Sequence, residues 1–375
     1  IQSTPVSFGA IGTPILIGVH SGLSGSKTVE SYLGVEGSAA GVDELVFQIG
    51  AQVAILHGII GTLIPLFVVV LLTRFFGTNK SWKEGLEIYP FAIFAGLSFT
   101  VPYVLFGVFL GPQFPSLLSG LIALGILILA ARSGFLQPKT VWRFPEKQNW
   151  EKEWLGTTKF DDLQVEPKRN SLFSALFPYM LVAVLLVITR LPSLPFNSMF
   201  SSFVIAFENI LGSGINVSIK PLLLPGTLFL ITVLICIFYY RISMKQSVAI
   251  FKDSFSSFIK AVPVLIFAVP LVRIMIQTQE NAAGLNSMPI ELAQFVAELS
   301  GAAWPMFAAV IGALGAFIAG SNTISNMTFS LFQFGVGMEI HISPVFIVAL
   351  QAVGGAAGNM ICIYNIVAVS ATCGL

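Results

Sequence analysis

The sequence contains long apolar runs that are almost free of charged side chains. Six of them stand out: Ala51–Leu72, Ile88–Leu110, Pro115–Ala131, Leu172–Thr189, Leu222–Tyr240 and Ala261–Gln277. A helix of roughly 20 apolar residues crosses the hydrocarbon core of a bilayer, which is about 30 Å thick. We therefore predict six membrane-spanning helices and an all-α polytopic membrane protein.

Composition excludes most other classes of protein. Only 10% of the residues are charged and 55% are hydrophobic, whereas soluble domains carry about 25% charged residues. The net charge of +1 gives no basic field for nucleic acid, so we expect membrane lipid and no nucleic acid as a partner. The three cysteines lie in apolar runs without CxxC spacing, and they indicate neither a metal site nor a cofactor.

The positions of Lys and Arg predict the orientation of the chain. Residues 74–83, 132–169 and 241–260 hold 15 of the 19 basic residues, and cytoplasmic loops retain positive charge. We place these three segments in the cytoplasm. Residues 132–170 then form a cytoplasmic loop between a first part, 1–131, which holds the remainder of a first repeat and the helices after it, and a second repeat, 171–375.

Three apolar segments are interrupted by small and polar residues: Phe8–Val19, Trp304–Met338 and Val345–Leu375. Irregular backbone at membrane depth survives only where it is buried in protein or lines a cavity. In the second segment, two arms of about 15 residues flank a polar stretch, and the loop after it carries Glu339 and His341 but no basic residue. We predict a re-entrant hairpin over residues 304–338 that enters from the outer side.

The tip of this hairpin is a candidate anion site. A helix N-terminus offers free N–H groups, and hydroxyl and amide side chains add donors that can hold a carboxylate. The candidate residues are Ser321, Asn322, Thr323, Ser325 and Asn326. The alternative is that these small polar residues only join helices together.

A weak internal repeat indicates a second half of the site. Residues 2–11 align with residues 351–360 at an offset of 349, and the loop charges give the two copies opposite orientations, as an inverted repeat requires. We predict a broken helix over residues 345–375 and helix breaks that face each other near the midplane, with the substrate between them. The residues at these breaks are Gly12, Thr13, Gly354, Gly355, Gly358 and Asn359.

Two titratable side chains within the predicted spans are further candidates. Arg273 is the one cation there, and it either binds the substrate carboxylate or reaches the membrane interface along its own helix. His57 either relays protons or forms a neutral hydrogen bond to a neighbouring helix.

Three motifs, Thr4–Pro14, Ala319–Asn326 and Gln351–Ile361, resemble the bacterial lactate permease family in order and spacing. The resemblance implies proton-coupled uptake of lactate or glycolate through the bacterial inner membrane. It also implies the architecture of the wider ion-transporter superfamily, in which two hairpins meet at one site. The family carries the first hairpin upstream of the Thr4–Pro14 motif. Because this chain begins without Met and ends within apolar sequence, we expect an internal fragment of a longer protein.

Other functions find less support in the residues. The chain has no GxxxxGK[ST] phosphate-binding loop and no HExxH motif, so neither an ATP-driven pump nor an intramembrane metalloprotease is indicated. A cation antiporter would need Asp or Glu in the broken segments, where there is none. We predict a secondary transporter of a small 2-hydroxymonocarboxylate, with a cation/proton antiporter or another organic-anion carrier as the alternative. The coupling ion, the preferred hydroxy acid and a homo-oligomeric state stay open.

Overall fold

A computed structural model describes residues 6–9, 11–34, 39–138, 142–146, 150, 171–191, 194–207, 217–363 and 365–366. The chain divides into two compact units. The first comprises Ile1–Val165 and Ala268–Leu375, and the second comprises Glu166–Phe267. Most of the predicted cytoplasmic loop and the end of the predicted broken helix, residues 367–375, lie outside the described residues.

The described chain is mainly helical. Its first half contains a π-helix, Pro14–Val19, and helices α1 (His20–Leu23), α2 (Lys27–Leu33), α3 (Ala39–Gly61), α4 (Ile64–Phe76), α5 (Trp82–Leu86), α6 (Tyr89–Phe109) and α7 (Pro115–Ser133). Its second half contains α8 (Leu172–Arg190), α9 (Pro195–Ser201), α10 (Pro225–Tyr239), α11 (Met244–Gln277), α12 (Met288–Ser300), α13 (Trp304–Ala319), α14 (Asn322–Glu339) and α15 (Pro344–Met360). Short 3₁₀ turns cover Pro221–Leu223 and Gly301–Ala303.

Five helical stretches of the described chain are long and apolar enough to cross a membrane. They are Gly41–Phe76, Tyr89–Phe109, Pro115–Ser133, Leu172–Arg190 and Met288–Ala319. The predicted spans that correspond to α6, α7 and α8 are confirmed to within two residues at each end. The prediction of an all-α polytopic membrane protein is also confirmed, although within the described residues Ile205–Phe207 (β1) pairs with Val217–Ile219 (β2) as two short antiparallel strands.

The remaining predicted spans have different boundaries in the structure. Ala51–Leu72 combines the end of α3 with most of α4, since Pro65 has no N–H for the helical ladder and the chain turns before it. The last two predicted spans correspond to α10, which is only 15 residues long, and to α11, which is 34 residues long. The basic stretch 241–260 is therefore largely helical, and Lys245 and Lys252, two turns apart in α11, are both exposed.

The basic ends of the first-unit helices meet at one end of that unit. A cavity of about 760 Å³ is lined both by residues of 69–91 and by residues of 137–143. At the other end of α3, His20 Nε2 lies 3.2 Å from Asp43 Oδ1. Lys27 Nζ lies 2.7 Å from Glu280 Oε1, which joins the first residue of α2 to the loop after α11.

Helices α13, α14 and α15 form a closely packed layer. Gly320 adopts φ +69° and ends α13, and α14 begins two residues later, so the chain reverses in a tight turn. Gln333 of α14 contacts the Ala308 carbonyl while Ser325 contacts the Gly312 carbonyl, so α13 and α14 are antiparallel. The predicted pair of helical arms is confirmed.

The predicted helix break at Gly354–Asn359 is wrong. Helix α15 continues through these residues to Met360. The glycines are there because α13 and α15 pack backbone to backbone. A Cβ at Gly354 would lie 1.8 Å from the Ala309 carbonyl oxygen, and one at Gly358 would lie 2.0 Å from that of Ala313. Small residues permit this close approach between helices in membranes.

Helix breaks do occur in both predicted segments. Gly9 and Gly12 adopt φ +57° and +82°, so the first segment turns before its π-helix begins at Pro14. In the last segment the helix ends at Met360, and helical backbone resumes at Ile363. Gly12 corresponds to Ile361 under the offset of 349, so the two breaks lie at matching positions. The inverted symmetry itself stays a prediction.

Candidate functional site

The tip of the α13–α14 hairpin is built by a helix cap. The Ser321 hydroxyl accepts a hydrogen bond from the backbone N–H of Ile324, at 3.4 Å, as an N-cap serine does. Ser321 is thereby part of the cap. The next two residues begin α14, and 13 of the 18 residues of this helix are buried.

Two asparagines, one turn apart on α14, hold the tip against the first segment of the chain. The Asn322 side-chain amide donates to the carbonyls of Val6, at 3.4 Å, and Ala352, at 3.5 Å. The Asn326 amide donates to the Pro14 carbonyl at 3.1 Å. Since these partners are carbonyl oxygens, the N–H₂ end of each amide must point towards them.

Ser7 connects this cluster to His57 of α3. The Ser7 hydroxyl lies 2.6 Å from His57 Nε2 and donates to the Ala352 carbonyl at 3.4 Å. That carbonyl also accepts from Asn322, so Ser7, His57 and Asn322 belong to one buried network. Sequence reasoning found His57 but missed Ser7, which is one hydroxyl residue in a motif that contains several.

Three buried polar atoms of this cluster have no hydrogen-bond partner among the residues that the structure describes: Asn322 Oδ1, Asn326 Oδ1 and His57 Nδ1. The three side chains are 3%, 0% and 3% exposed. A buried acceptor without a donor costs about 1–3 kcal/mol. Buried polar atoms in native structures nearly always have a partner, so unsatisfied groups of this kind call for a water, an ion or a ligand.

Gly355 of α15 faces the two orphan amide oxygens. A Cβ at this position would lie 2.1 Å from Asn322 Oδ1 and 3.5 Å from Asn326 Oδ1. Of the predicted glycines of α15, Gly355 is thus the one that borders the asparagine pair. Gly354 and Gly358 contact α13 instead.

Ser325 belongs to a second hydrogen-bond network, in which its hydroxyl has partners, and not to the cluster of Asn322, Asn326 and His57. Its hydroxyl donates to the Gly312 carbonyl and accepts from Gln351 Nε2, both at 3.0 Å. The network continues through Gln333, whose amide nitrogen donates to Gln351 Oε1 at 3.1 Å, and ends at Trp304 Nε1, which donates to Gln333 Oε1 at 2.8 Å. This line of buried hydrogen bonds joins α13, α14 and α15.

The other predicted residues near the breaks lie around the cluster. The Thr323 carbonyl packs against Gly18, where a Cβ would lie 2.7 Å away, and Thr13 precedes the π-helix as its N-cap. A Cβ at Gly12 would lie 2.8 Å from the Pro112 carbonyl oxygen, so Gly12 contacts the turn before α7. Asn359 lies in the last turn of α15, and its carbonyl accepts from Asn365 Nδ2 at 2.7 Å, across the break.

Arg273 lies on the exposed surface of α11. Its Nη1 donates to the carbonyl of Ser24, the C-cap of α1, at 3.0 Å. A cation at this position stabilises the negative end of a helix. Contact of Arg273 with a substrate stays a prediction.

The cluster borders a long apolar helical stretch. His57 lies one turn before the end of α3, next to the turn that joins α3 to α4, within the apolar stretch Gly41–Phe76. Through Ser7, the hairpin tip lies at the same level. The fold and the site thus define a class of protein: a polytopic membrane protein in which a helical hairpin and an interrupted first segment meet in a buried polar cluster.

The chain belongs to the L-lactate permease family, which matches residues 1–375. This is a family of permeases and not of enzymes. A relative from Haemophilus influenzae is 31% identical, and the match covers 99% of this chain and 64% of the relative. The L-lactate permease of Bacillus subtilis is 26% identical over 100% of this chain and 64% of its own length. The same figures describe the glycolate permease GlcA of Escherichia coli.

The chain therefore spans about 64% of the length of these curated relatives. No solved structure matches it. Family membership and the apolar helices identify a multi-pass integral membrane protein, as the three motifs and the apolar runs predict.

Proposed function

We propose that the protein containing this chain is a secondary transporter that takes up a small 2-hydroxymonocarboxylate, lactate or glycolate, with protons across the bacterial plasma membrane. The substrate site in this proposal is the buried cluster around Asn322. The observation that carries the proposal is the convergence of Asn322, Asn326 and His57, each with an unpartnered buried atom, at the meeting point of two interrupted segments. The names of the family relatives support the substrate class.

The direction of the helices supports a re-entrant hairpin. Gly18 packs against Thr323 and Gly22 packs against Met327, so the segment of the π-helix and α1 runs parallel to α14. The two segments then leave at the same end, with Lys27 after one and Glu339 after the other. A cavity of about 460 Å³ lies where α13 begins and α14 ends, and it is lined by residues within 294–302 and by residues 339–340. The tip, level with His57, would then lie within the membrane.

His57 is the proposed proton carrier. It is the titratable side chain of the buried cluster, and its Nδ1 has no partner within the described part of the chain. An imidazole can accept a proton at one ring nitrogen while the other keeps its hydrogen bond, and the Ser7 hydroxyl extends the hydrogen bonding of His57 to the Ala352 carbonyl beside Asn322. Proton and substrate sites would then share one network.

Counterflow tests this proposal directly. Proteoliposomes loaded with unlabelled lactate should accumulate labelled lactate, unlabelled glycolate should compete, and citrate should not. An inward proton gradient should stimulate uptake. A cation/proton antiporter would instead move protons when the cation is changed and would show no lactate counterflow.

The Asn322→Leu variant connects the activity to the cluster. Leu is close to Asn in size but removes both the amide donors and the orphan oxygen, so we expect lactate uptake to fall about tenfold or more while membrane insertion persists. Gln294→Leu, a change outside the cluster on α12, is the control and should transport like the parent protein. Unchanged uptake by Asn322→Leu would remove the hairpin tip from the mechanism.

A further inference from the structure

We propose that the two orphan oxygens of Asn322 and Asn326 accept the hydrogen bond of the substrate's 2-hydroxyl group, and that this pair selects hydroxy acids over acids that lack the hydroxyl. This inference rests on the proposed function and assigns a role within the same site. It reverses the expectation that the asparagine amides donate to the carboxylate.

The side-chain amides of Asn322 and Asn326 have a fixed orientation. The nitrogen of Asn326 donates to the Pro14 carbonyl, and that of Asn322 donates to the carbonyls of Val6 and Ala352. A flipped amide would place its oxygen against a carbonyl oxygen and lose the hydrogen bond. Both N–H₂ groups are therefore engaged with backbone, and the oxygens are what the pair offers to a ligand.

The surroundings of the two amide oxygens restrict which chemical group can bind them. Both are buried and both lack a donor within the described chain. Asn322 Oδ1 packs directly against Gly355, and Asn326 Oδ1 lies at ordinary van der Waals distance from the same position. A group that satisfies them must be small and must donate a hydrogen bond. A carboxylate has only acceptors at neutral pH, so these two oxygens repel it.

The proposed substrate has the hydrogen-bond donor that the two amide oxygens lack. An ionised 2-hydroxymonocarboxylate has one O–H donor, at the carbon next to its carboxylate, and the two oxygens would share its single hydrogen in a three-centre hydrogen bond. Binding that hydroxyl at the asparagine pair turns the carboxylate away from the two oxygens. A 2-oxo acid such as pyruvate presents an acceptor in the same place and leaves the buried oxygens unpaired. Sites that hydrogen-bond a substrate hydroxyl discriminate strongly against analogues that lack it.

The test compares two changes, one in the ligand and one in the protein. Lactate, propionate and pyruvate compete with labelled lactate in counterflow, for the parent protein and for Asn326→Leu. For the parent protein, we expect lactate to compete at a concentration at least about tenfold below that of propionate. In Asn326→Leu this ratio should fall towards one, mainly because lactate binds more weakly, while competition by propionate changes less than about threefold.

Two further variants make the comparison specific. Ser330→Ala removes a buried hydroxyl of the same helix, which donates to the Asn326 backbone carbonyl at 2.6 Å, and it should keep the parent ratio. Asn326→Asp in its protonated form has the shape of Asn, donates to the Pro14 carbonyl and keeps a carbonyl acceptor. It should keep the preference for lactate. If Asn326→Leu is not recovered as folded protein, the Asp variant decides, and loss of its preference overturns the inference.

The outcomes separate this inference from the proposed function. Absence of lactate counterflow in the parent protein contradicts the proposed function itself. Lactate counterflow with equal losses for lactate and propionate in Asn326→Leu contradicts only the hydroxyl assignment. The same holds if uptake requires sodium and Asn326→Leu abolishes that requirement, because the oxygens would then bind a cation.

Discussion

The close contact between α13 and α15 predicts that a single methyl group at Gly354 destabilises the protein. The added Cβ would lie 1.8 Å from the Ala309 carbonyl oxygen, 2.5 Å from its carbon and 2.6 Å from Cα, all of them backbone atoms. An ordinary contact between carbon and a carbonyl oxygen is about 3.3–3.6 Å, so the helices must separate by roughly 1.5 Å. A rotamer change cannot relieve this contact, because the three atoms of Ala309 belong to the backbone.

The expected cost follows from other overpacked interiors. Forcing extra volume into a packed interface costs about 1–3 kcal/mol, and each kcal/mol lowers the melting temperature of a 150–250-residue protein by about 2–4 °C. We expect Gly354→Ala to melt roughly 2–12 °C below the parent protein, as measured by size-exclusion chromatography of heated, detergent-solubilised protein.

Gly120→Ala is the matched control for this experiment. Gly120 lies within α7, and a Cβ there would meet nothing within 4 Å. Ala is favoured over Gly inside a helix by about 0.5–1 kcal/mol, so this variant should melt at or slightly above the parent temperature. If Gly354→Ala and Gly120→Ala melt together, the backbone contact does not limit stability and the reasoning fails.

Two further predictions concern the buried hydrogen bonds. Gln333→Leu leaves Trp304 Nε1 and Gln351 Oε1 without their partner, so it should lower stability by about 1–3 kcal/mol. In a double-mutant cycle measured by melting temperature, Gln333→Leu and Gln351→Leu should show a coupling energy of about 1 kcal/mol. An additive double variant would show that the two amides do not interact. His57→Gln should keep lactate counterflow but lose stimulation by an inward proton gradient, whereas His20→Gln, a histidine paired with Asp43, should keep both. Equal stimulation of the two variants would exclude His57 as the proton carrier.

Hydropathy predicted most of the helices because the thickness of a bilayer sets their length. The span Leu172–Thr189 corresponds to α8 almost residue for residue. The prediction was less successful where a helix extends beyond the apolar run. Helix α11 begins at Met244, within a charged stretch, because Lys245 and Lys252 are exposed and do not end the helix.

The candidate site was predicted in part. The polar residues of the tip were recognisable because they interrupt an apolar segment, and Asn322 and Asn326 do lie in the buried cluster. Gly354 was misread because a glycine can mark either a helix break or a close contact, and both require the absence of a Cβ. The contact with the Ala309 carbonyl, 45 residues away in the sequence, shows that Gly354 permits a close helix contact and does not mark a helix break. Ser7 was missed for a similar reason, since its importance depends on His57.

The polarity of α14 has a consequence for the biogenesis of the protein. This helix is 18 residues long, but it is not among the described helices that are apolar enough to cross a membrane. Its buried side chains include Asn322, Ser325, Asn326, Ser330 and Gln333. Polar residues at the centre of a helix oppose its partitioning from the translocon into lipid. We expect α14 to enter the bilayer together with α13, and to reach its final place only when α15 has been synthesised and can cover it.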